Sequence, residues 1–555
     1  MPSPRPTSVA AVALGEVAAL VEAPVPTVEA RPDSAEPRTS EVEPRPDSAE
    51  PRTSEGADGV RLSGVSLDSR TVQPGDLYAA LPGFVAHGGS FAQQAVDAGA
   101  LALLTDPKGA ELAGDIAVPV LVVADPRAVL GDVAALVYGQ AARDLTLVGI
   151  TGTNGKTTTA YLVESGLRAL GETTGLLGTV ETRVGGTRIK SVRTTPEATD
   201  LHALFAVMRE AGAADVVMEV SSHALAQHRV DGAVFDVALF TNLSQDHLDF
   251  HETMEDYFGA KASLFTPEHS RRGVVCVDDE WGARLAREAT VPVVTVGSHL
   301  GSQASWVVRH RDWPLFTLSG PAGRVELQCH LPGDFNIVNT ALAAVCLLEL
   351  GHSLDRVAEA LRQEPVVPGR MEIVTGTHPD TDRDPRCVVD YAHTPDAVEA
   401  ALRALRPSTP GRLVVVLGAG GDRDRGKRRA MGAAARSWAD DVVVTDDNPR
   451  SEDPAGIRSE VLAGASVGPG GGGRPDHGVR NTPAPARSRA GRGEAIAEAV
   501  QLARRTGRAA DNTVLVLGKG HETGQEIGGV VHAFDDRDAL RAALDGLVYR
   551  PEAIE

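Results

Sequence analysis

The chain has 555 residues, 42% of them hydrophobic, with 54 basic and 75 acidic side chains and a net charge of −21. That length suits three or four domains of ~150 residues, and the acidic balance excludes the basic footprint of a nucleic-acid binder. Four scattered cysteines, Cys276, Cys329, Cys346 and Cys387, form no CxxC pair; neither a zinc site nor a disulfide framework is indicated, and a reducing compartment fits.

Residues Val9 to Gly15 are apolar, but Glu16 interrupts the run and Arg5 alone precedes it. It is too short for a membrane span and poor as a signal peptide, so a soluble, cytoplasmic protein without a membrane partner is expected. Residues 1–58 read as a disordered tail, of which 1–55 is expected to be dispensable, with RPDSAEPRTSE at 31–41 and again at 45–55; such composition buries too little apolar area to offset chain entropy. Residues 59–143 read as a compact α/β unit. In it Ser69 and Arg70 follow Asp68 in a turn, and by themselves they read as surface residues.

Residues 144–369 carry the strongest signal, LVGITGTNGKTTT at 147–159. An apolar strand runs into a turn with Gly152, Thr153, Asn154 and Gly155, then Lys156, Thr157 and Thr158, then a helical pattern. This is the build of a nucleotide phosphate site, in which turn N–H groups and a helix N-terminus face an anion, Lys156 supplies a point charge and the Thr157 hydroxyl serves Mg²⁺. The strict spacing would put glycine at Ile150, so the loop is a variant anchored by Gly152. The strand DVVMEV delivers Glu219, where a Mg²⁺ ligand is expected. After the strand VALFTNLS come Asp246, His247, Asp249 and His251, a cluster suited to metal or phosphate chemistry. Lys261 lies in MEDYFGAKASLF, where a lysine ordinarily faces solvent.

Residues 370–555 read as a third α/β unit. Three predicted strands end in polar clusters: the basic turn Arg423, Arg425, Lys427, Arg428, Arg429; Asp447-Asn448-Pro449-Arg450; and Gly518-Lys519-Gly520-His521-Glu522. Clusters at the C-terminal ends of parallel strands share one crevice. Residues 464–493, rich in Gly, Pro and Arg, read as a flexible insertion.

TGTNGKTTT, MEVSSHALAQHRV, FTNLSQDHLDFH, PVVPGRME, VDYAHTPDA, GAGGDRDRGKR, DDNPR and GKGHE occur in this order. Together they resemble the Mur ligase family, over about residues 60–550, and within it the member adding the third residue of the peptidoglycan stem peptide. One departure is Arg429, where relatives often have proline. The resemblance implies a three-domain α/β architecture: a UDP-substrate domain (59–143), a central P-loop ATPase (144–369) and a Rossmann-like amino-acid domain (370–555). It implies ATP and Mg²⁺ as cofactors. It implies UDP-N-acetylmuramoyl-L-alanyl-D-glutamate and meso-2,6-diaminopimelate as small-molecule partners, joined through an acyl phosphate by a monomeric enzyme. The alternatives are the L-lysine-adding homologue and a non-ligase P-loop ATP-binding protein.

Residue by residue, the resemblance implies Thr157 and Glu219 as Mg²⁺ ligands, with His247 and a carbamylated Lys261 at the metal and in catalysis beside Lys156. It implies ATP contacts at residues 152–158, Asn336, Arg370 and Asp390. Leu67 and Ser69 match the uridine end, and Thr194, Thr195, Ser221, Gln227, Arg229 and Lys261 the muramoyl-dipeptide. Arg423, Asp447, Asn448, Pro449, Arg450, Gly518 and Glu522 match the diaminopimelate site. There Arg450 would read the distal carboxylate, unless it pairs with Glu452 or Asp453 instead, and Gly518 would leave room for the ligand.

Overall fold

The computed structural model describes residues 4–24, 59–83, 85–248, 250–378, 380, 382–422, 424–466 and 485–550. Asp249, Arg423 and most of the 1–58 and 464–493 segments lie outside the described residues. Among the described residues no helix is long and apolar enough to cross a membrane.

The N-terminal domain is built on a four-stranded parallel sheet in chain order, Gly64–Ser66, Asp76–Ala80, Ala102–Thr105 and Val120–Val122. Two helices start with Asp-Pro: Asp106 accepts the Gly109 N–H at 2.6 Å, and Asp125 accepts the Arg127 N–H at 2.9 Å. Asp satisfies an orphan N–H at the cap, and proline at the first helical position has none to lose.

The expected disorder over 1–58 does not hold for residues 4–24. Val12–Ala13 pairs with Arg61–Leu62, and the helix Leu14–Leu20 buries Leu14, Val17 and Ala18 completely in this domain's core. The spacing i, i+3, i+4 is an apolar helical stripe, hidden when the segment is judged together with its repeat. Arg5 pairs with Asp76, which has 0% side-chain exposure. The Thr7 and Ser8 N–H and hydroxyl groups all donate to Glu210 of the central domain. The arm therefore ties the two domains together.

The central domain holds an eleven-stranded sheet. Its parallel core runs Thr174–Leu177, Asp215–Glu219, Thr146–Thr151, Val237–Phe240, Gly273–Cys276, Val293–Gly297 and Trp306–Asp312. Antiparallel strands close both edges. A parallel sheet covered on both faces needs strands apolar on both sides, and two buried clusters flank this one. The phosphate-loop strand is central, between the strands that end in Glu219 and Phe240.

The C-terminal domain orders Glu372–Val374, Arg386–Asp390, Thr513–Leu517, Leu413–Leu417, Asp441–Val444 and Arg487–Ser488 in one sheet, parallel except for the first. The three strands expected to deliver polar clusters are adjacent. The flexible reading of 464–493 fails at its ends. The helix Pro454–Ser466 runs into it, Arg487–Ser488 adds an edge strand, and Arg492 opens the helix Arg492–Arg505 with its side chain fully buried. Edge pairing and an ion pair order these residues against their composition.

Candidate functional site

The phosphate loop is held open by its glycines. Gly152 has φ 145°, and a Cβ there would lie 1.9 Å from Thr241 Oγ1 and 3.1 Å from Asn242 O, so any side chain would displace the segment that follows the strand Val237–Phe240. Residues 241–244 brace the loop: Asn242 accepts the Thr153 N–H at 2.9 Å and the Asn154 N–H at 3.0 Å, and Thr241 Oγ1 donates to Asn154 O at 2.6 Å. Thr157 and Thr158 follow in the first turn of the helix Lys156–Ala169.

Two lysines 105 positions apart converge on this loop. Lys156 Nζ donates to Gly152 O at 2.8 Å and Lys261 Nζ donates to the same oxygen at 2.9 Å. Lys261 is not the solvent-facing residue its local context suggests; it is 1% exposed and lies over the Tyr257 ring at 4.6 Å. Burial, and then the Lys156 charge, hold its pKa well below the ordinary lysine value. Burial also lowers Lys156, against the pull of Glu219 and Asp246.

Thr157 Oγ1 donates to Glu219 Oε2 at 2.9 Å, and the Thr179 N–H donates to Glu219 Oε1 at 2.7 Å. These two adjacent oxygen donors suit a hard cation such as Mg²⁺. The His247 ring lies 4.9 Å from that of His223 and 6.0 Å from that of Tyr257. Among the described residues no group of three or more His, Cys, Asp or Glu is arranged to hold a metal. The structure thus joins Thr157 with Glu219, and Lys261 with the loop.

Three residues expected to touch ATP are tied into the protein's own network. Asn336 donates to Pro332 O at 2.8 Å and accepts from Asn339 at 3.1 Å. Asp390 accepts the Met371 and Ala392 N–H groups, each at 2.8 Å. Burial raises its pKa while Arg370 pulls it down. Arg370 Nη2 reaches Thr157 Oγ1 at 3.3 Å from the start of the C-terminal domain.

The residues assigned to the acyl donor form a chain leading from Glu219. Thr195 Oγ1 donates to Glu219 O at 2.9 Å and accepts the Ser221 N–H at 3.0 Å, and Thr194 lies 3.0 Å from Thr179. Arg229 donates to Gln227 Oε1 at 2.6 Å and lies 3.0 Å from Glu197, a residue sequence reasoning missed. Arg127 and Arg193 also approach Glu197, at 3.3 and 3.5 Å. Arg127, Arg193 and Glu197 line a cavity of about 1310 Å³ between the N-terminal and central domains, which Leu67 and Ser69 also line. Ser69 is buried and bonds Gln94, not a surface turn residue as its context suggests; Arg70 is exposed and pairs with Asp68. Pro4 and Arg5 of the N-terminal arm line the same cavity.

In the C-terminal crevice Asn448 Nδ2 donates to Glu522 Oε2 at 2.8 Å. Arg450 is left-handed, φ 52°, fixed by its N–H to Glu526 O at 3.0 Å. Its side chain donates to Gly421 O at 2.6 Å and lies 3.5 Å from the Glu526 carboxylate. Glu452, the neighbour in sequence, is taken by Arg428 and Arg425 at 2.7 and 2.9 Å. At Gly518, φ 115°, a Cβ would meet Asp447 Oδ2 at 2.3 Å. Gly518 is required by this close approach.

Three family models match in order: Mur ligase family, catalytic domain, over residues 61–138; Mur ligase middle domain over 150–347; and Mur ligase, glutamate ligase domain over 369–520. The UDP-N-acetylmuramoyl-L-alanyl-D-glutamate–2,6-diaminopimelate ligase of Streptomyces coelicolor is 51% identical, covering 87% of this chain and 92% of the relative. A solved structure of a ligase of the same name superposes with TM-score 0.61 at 31% identity, covering 88% of this chain and 95% of that one. The MurF ligase of Thermotoga maritima in complex with ADP shares the fold, with TM-score 0.56 at 18% identity over 87% and 97% of the two chains.

Proposed function

This chain belongs to the Mur ligase family, and from that premise we propose that it adds meso-2,6-diaminopimelate to UDP-N-acetylmuramoyl-L-alanyl-D-glutamate at the expense of ATP, in peptidoglycan biosynthesis. The observation that carries the site assignment is the hydrogen-bonded chain Thr157–Glu219–Thr195–Ser221. It links the phosphate loop to the acyl-donor residues through one hydrogen-bonded network, which supports bringing a phosphoryl group and a substrate carboxylate together.

In this reading the γ-phosphoryl group of ATP passes to the terminal carboxylate of the dipeptide. Lys156 leaves its loop carbonyls to meet the phosphates, and Arg370 offsets charge developing beside Thr157. Arg229 and Gln227 hold the dipeptide, and Leu67 and Ser69 the uridine end. The acceptor amine then attacks the acyl phosphate and phosphate leaves. Thr157 and Glu219 would hold Mg²⁺, which when bound neutralises the two anions brought together. His247 and a carbamylated Lys261 would complete the metal side. The lowered pKa of Lys261 supplies the neutral amine that attacks CO₂, forming an N–C bond and releasing a proton. Arg450 recognises the distal carboxylate of diaminopimelate with a planar fork, and Glu522 its distal ammonium. The protein acts as a monomer in the cytoplasm.

Phosphate release from ATP tests the reading. It requires the nucleotide-dipeptide and diaminopimelate together, and L-lysine does not replace the latter. Release with ATP alone would make the chain an ATPase or switch, and equal use of L-lysine would reassign the acceptor site.

A further inference from the structure

The acceptor crevice contains a cation without a task in this mechanism. Lys519 follows the strand Thr513–Leu517, and its side chain has 0% exposure. A charge withdrawn from water needs partners. Lys519 Nζ donates to Asn448 Oδ1 and to Glu522 Oε2, both at 3.0 Å. Asn448 closes the triangle by donating Nδ2 to the same Glu522 oxygen at 2.8 Å. Asn448 Oδ1 also accepts the Glu526 N–H at 3.0 Å. A flipped amide would set donors against donors, so the network fixes its orientation.

All these contacts with Glu522 fall on Oε2. Among the described residues Oε1 makes no hydrogen bond, and the Glu522 side chain is 32% exposed. The charges around it are unbalanced. Arg492 binds Asp536 through two bonds of 2.7 Å and lies 3.8 Å from Asp447. Two buried cations, Lys519 and Arg492, thus face three carboxylates, Asp447, Glu522 and Asp536. The most exposed of the three is Glu522.

We propose that Lys519 is a positioning residue for the acceptor substrate. With Asn448 it pins Glu522 Oε2 and leaves Oε1, carrying the uncompensated charge, for a ligand ammonium. The ligand is a diamino acid whose second ammonium completes the cluster beside Arg450. This rests on the acceptor reading of the crevice given above.

The test is a double-mutant cycle with K519M and E522Q in the full chain. The KM is measured for diaminopimelate, ATP and the nucleotide-dipeptide. K519M is expected to raise the KM for diaminopimelate at least tenfold and to leave the other two within twofold. Added to E522Q, it is expected to change the KM for diaminopimelate less than twofold, because the group it positions is already gone. If K519M does not fold, K519Q enters the same cycle, since it keeps a donor without the charge. An unchanged KM for diaminopimelate overturns the proposal. So do effects that multiply in the double variant, or a parallel rise of all three KM values, which marks general damage. Wild-type enzyme is assayed first: no diaminopimelate-dependent phosphate release there would remove the functional reading itself.

Discussion

The nucleotide half and the acceptor half of the molecule are built to different rules. Around the phosphate loop Glu219, Lys261 and Arg229 are buried, at 1%, 1% and 8% exposure, and each is bonded to another part of the same network. The acceptor crevice also has a buried layer, Lys519, Arg492 and Asp536, but at its open edge Arg450 is 25% exposed and Glu526 41%, and their ion pair is 3.5 Å long. Buried charges with fixed partners are costly to rearrange, whereas exposed pairs are worth little and exchange readily. On the proposed function the nucleotide half is therefore pre-formed for phosphoryl transfer, and the open edge of the acceptor half can trade the Glu526 carboxylate for that of an incoming amino acid. Changes in the first half should reduce turnover for every substrate; changes in the second should reach one KM alone.

The largest expected effect lies in the buried half. Lys261→Ala should lower kcat about a thousandfold, roughly 4 kcal/mol of barrier, with partial recovery on adding a short carboxylic acid. A variant retaining a tenth of wild-type turnover would show that the fixed network does not need an acid group there.

Next is the N-terminal arm, which fixes one wall of that half. Arg5→Ala leaves Asp76 fully buried and short of its cation, at a cost of about 3 kcal/mol. A chain starting near Glu55 should lose the folded N-terminal domain altogether. Denaturant unfolding measures both, and a midpoint equal to wild type for the truncated chain would return the arm to a dispensable role.

Arg450→Ala should cost about 2 kcal/mol, roughly thirtyfold in KM for diaminopimelate, at the low end for a truncated ion-pair partner because the site is partly open. The KM for ATP should stay within twofold. A matching rise in both would mean that the halves are not separable.

The smallest effect sharpens the contrast. Glu526→Ala removes the resident partner of Arg450, an exposed pair worth about 0–1 kcal/mol. The KM for diaminopimelate should fall by no more than about fivefold, since the guanidinium no longer divides its attention. A large rise would show Glu526 orienting Arg450 where competition is expected.

Much of this was set by the sequence alone, wherever the cause is local. Gly152 and Gly155 between an apolar strand and Lys-Thr-Thr identify the phosphate loop, Asp-Pro marks helix starts, and runs such as DVVME and LVVVL are strands buried on both faces. Turn geometry and strand burial depend on neighbours a few residues away, so spacing reveals them. Long-range partners were decided by tertiary structure. Lys156 and Lys261 share one carbonyl oxygen across 105 positions, Arg5 meets Asp76 71 residues on, and Lys519 reaches back 71 residues to Asn448. In sequence Lys261 is one more helix lysine, Arg5 a tail residue and Arg450 a neighbour of Glu452. Which of them is buried, and against what, follows only when separate strands close into a sheet and leave each charge the partners that burial demands.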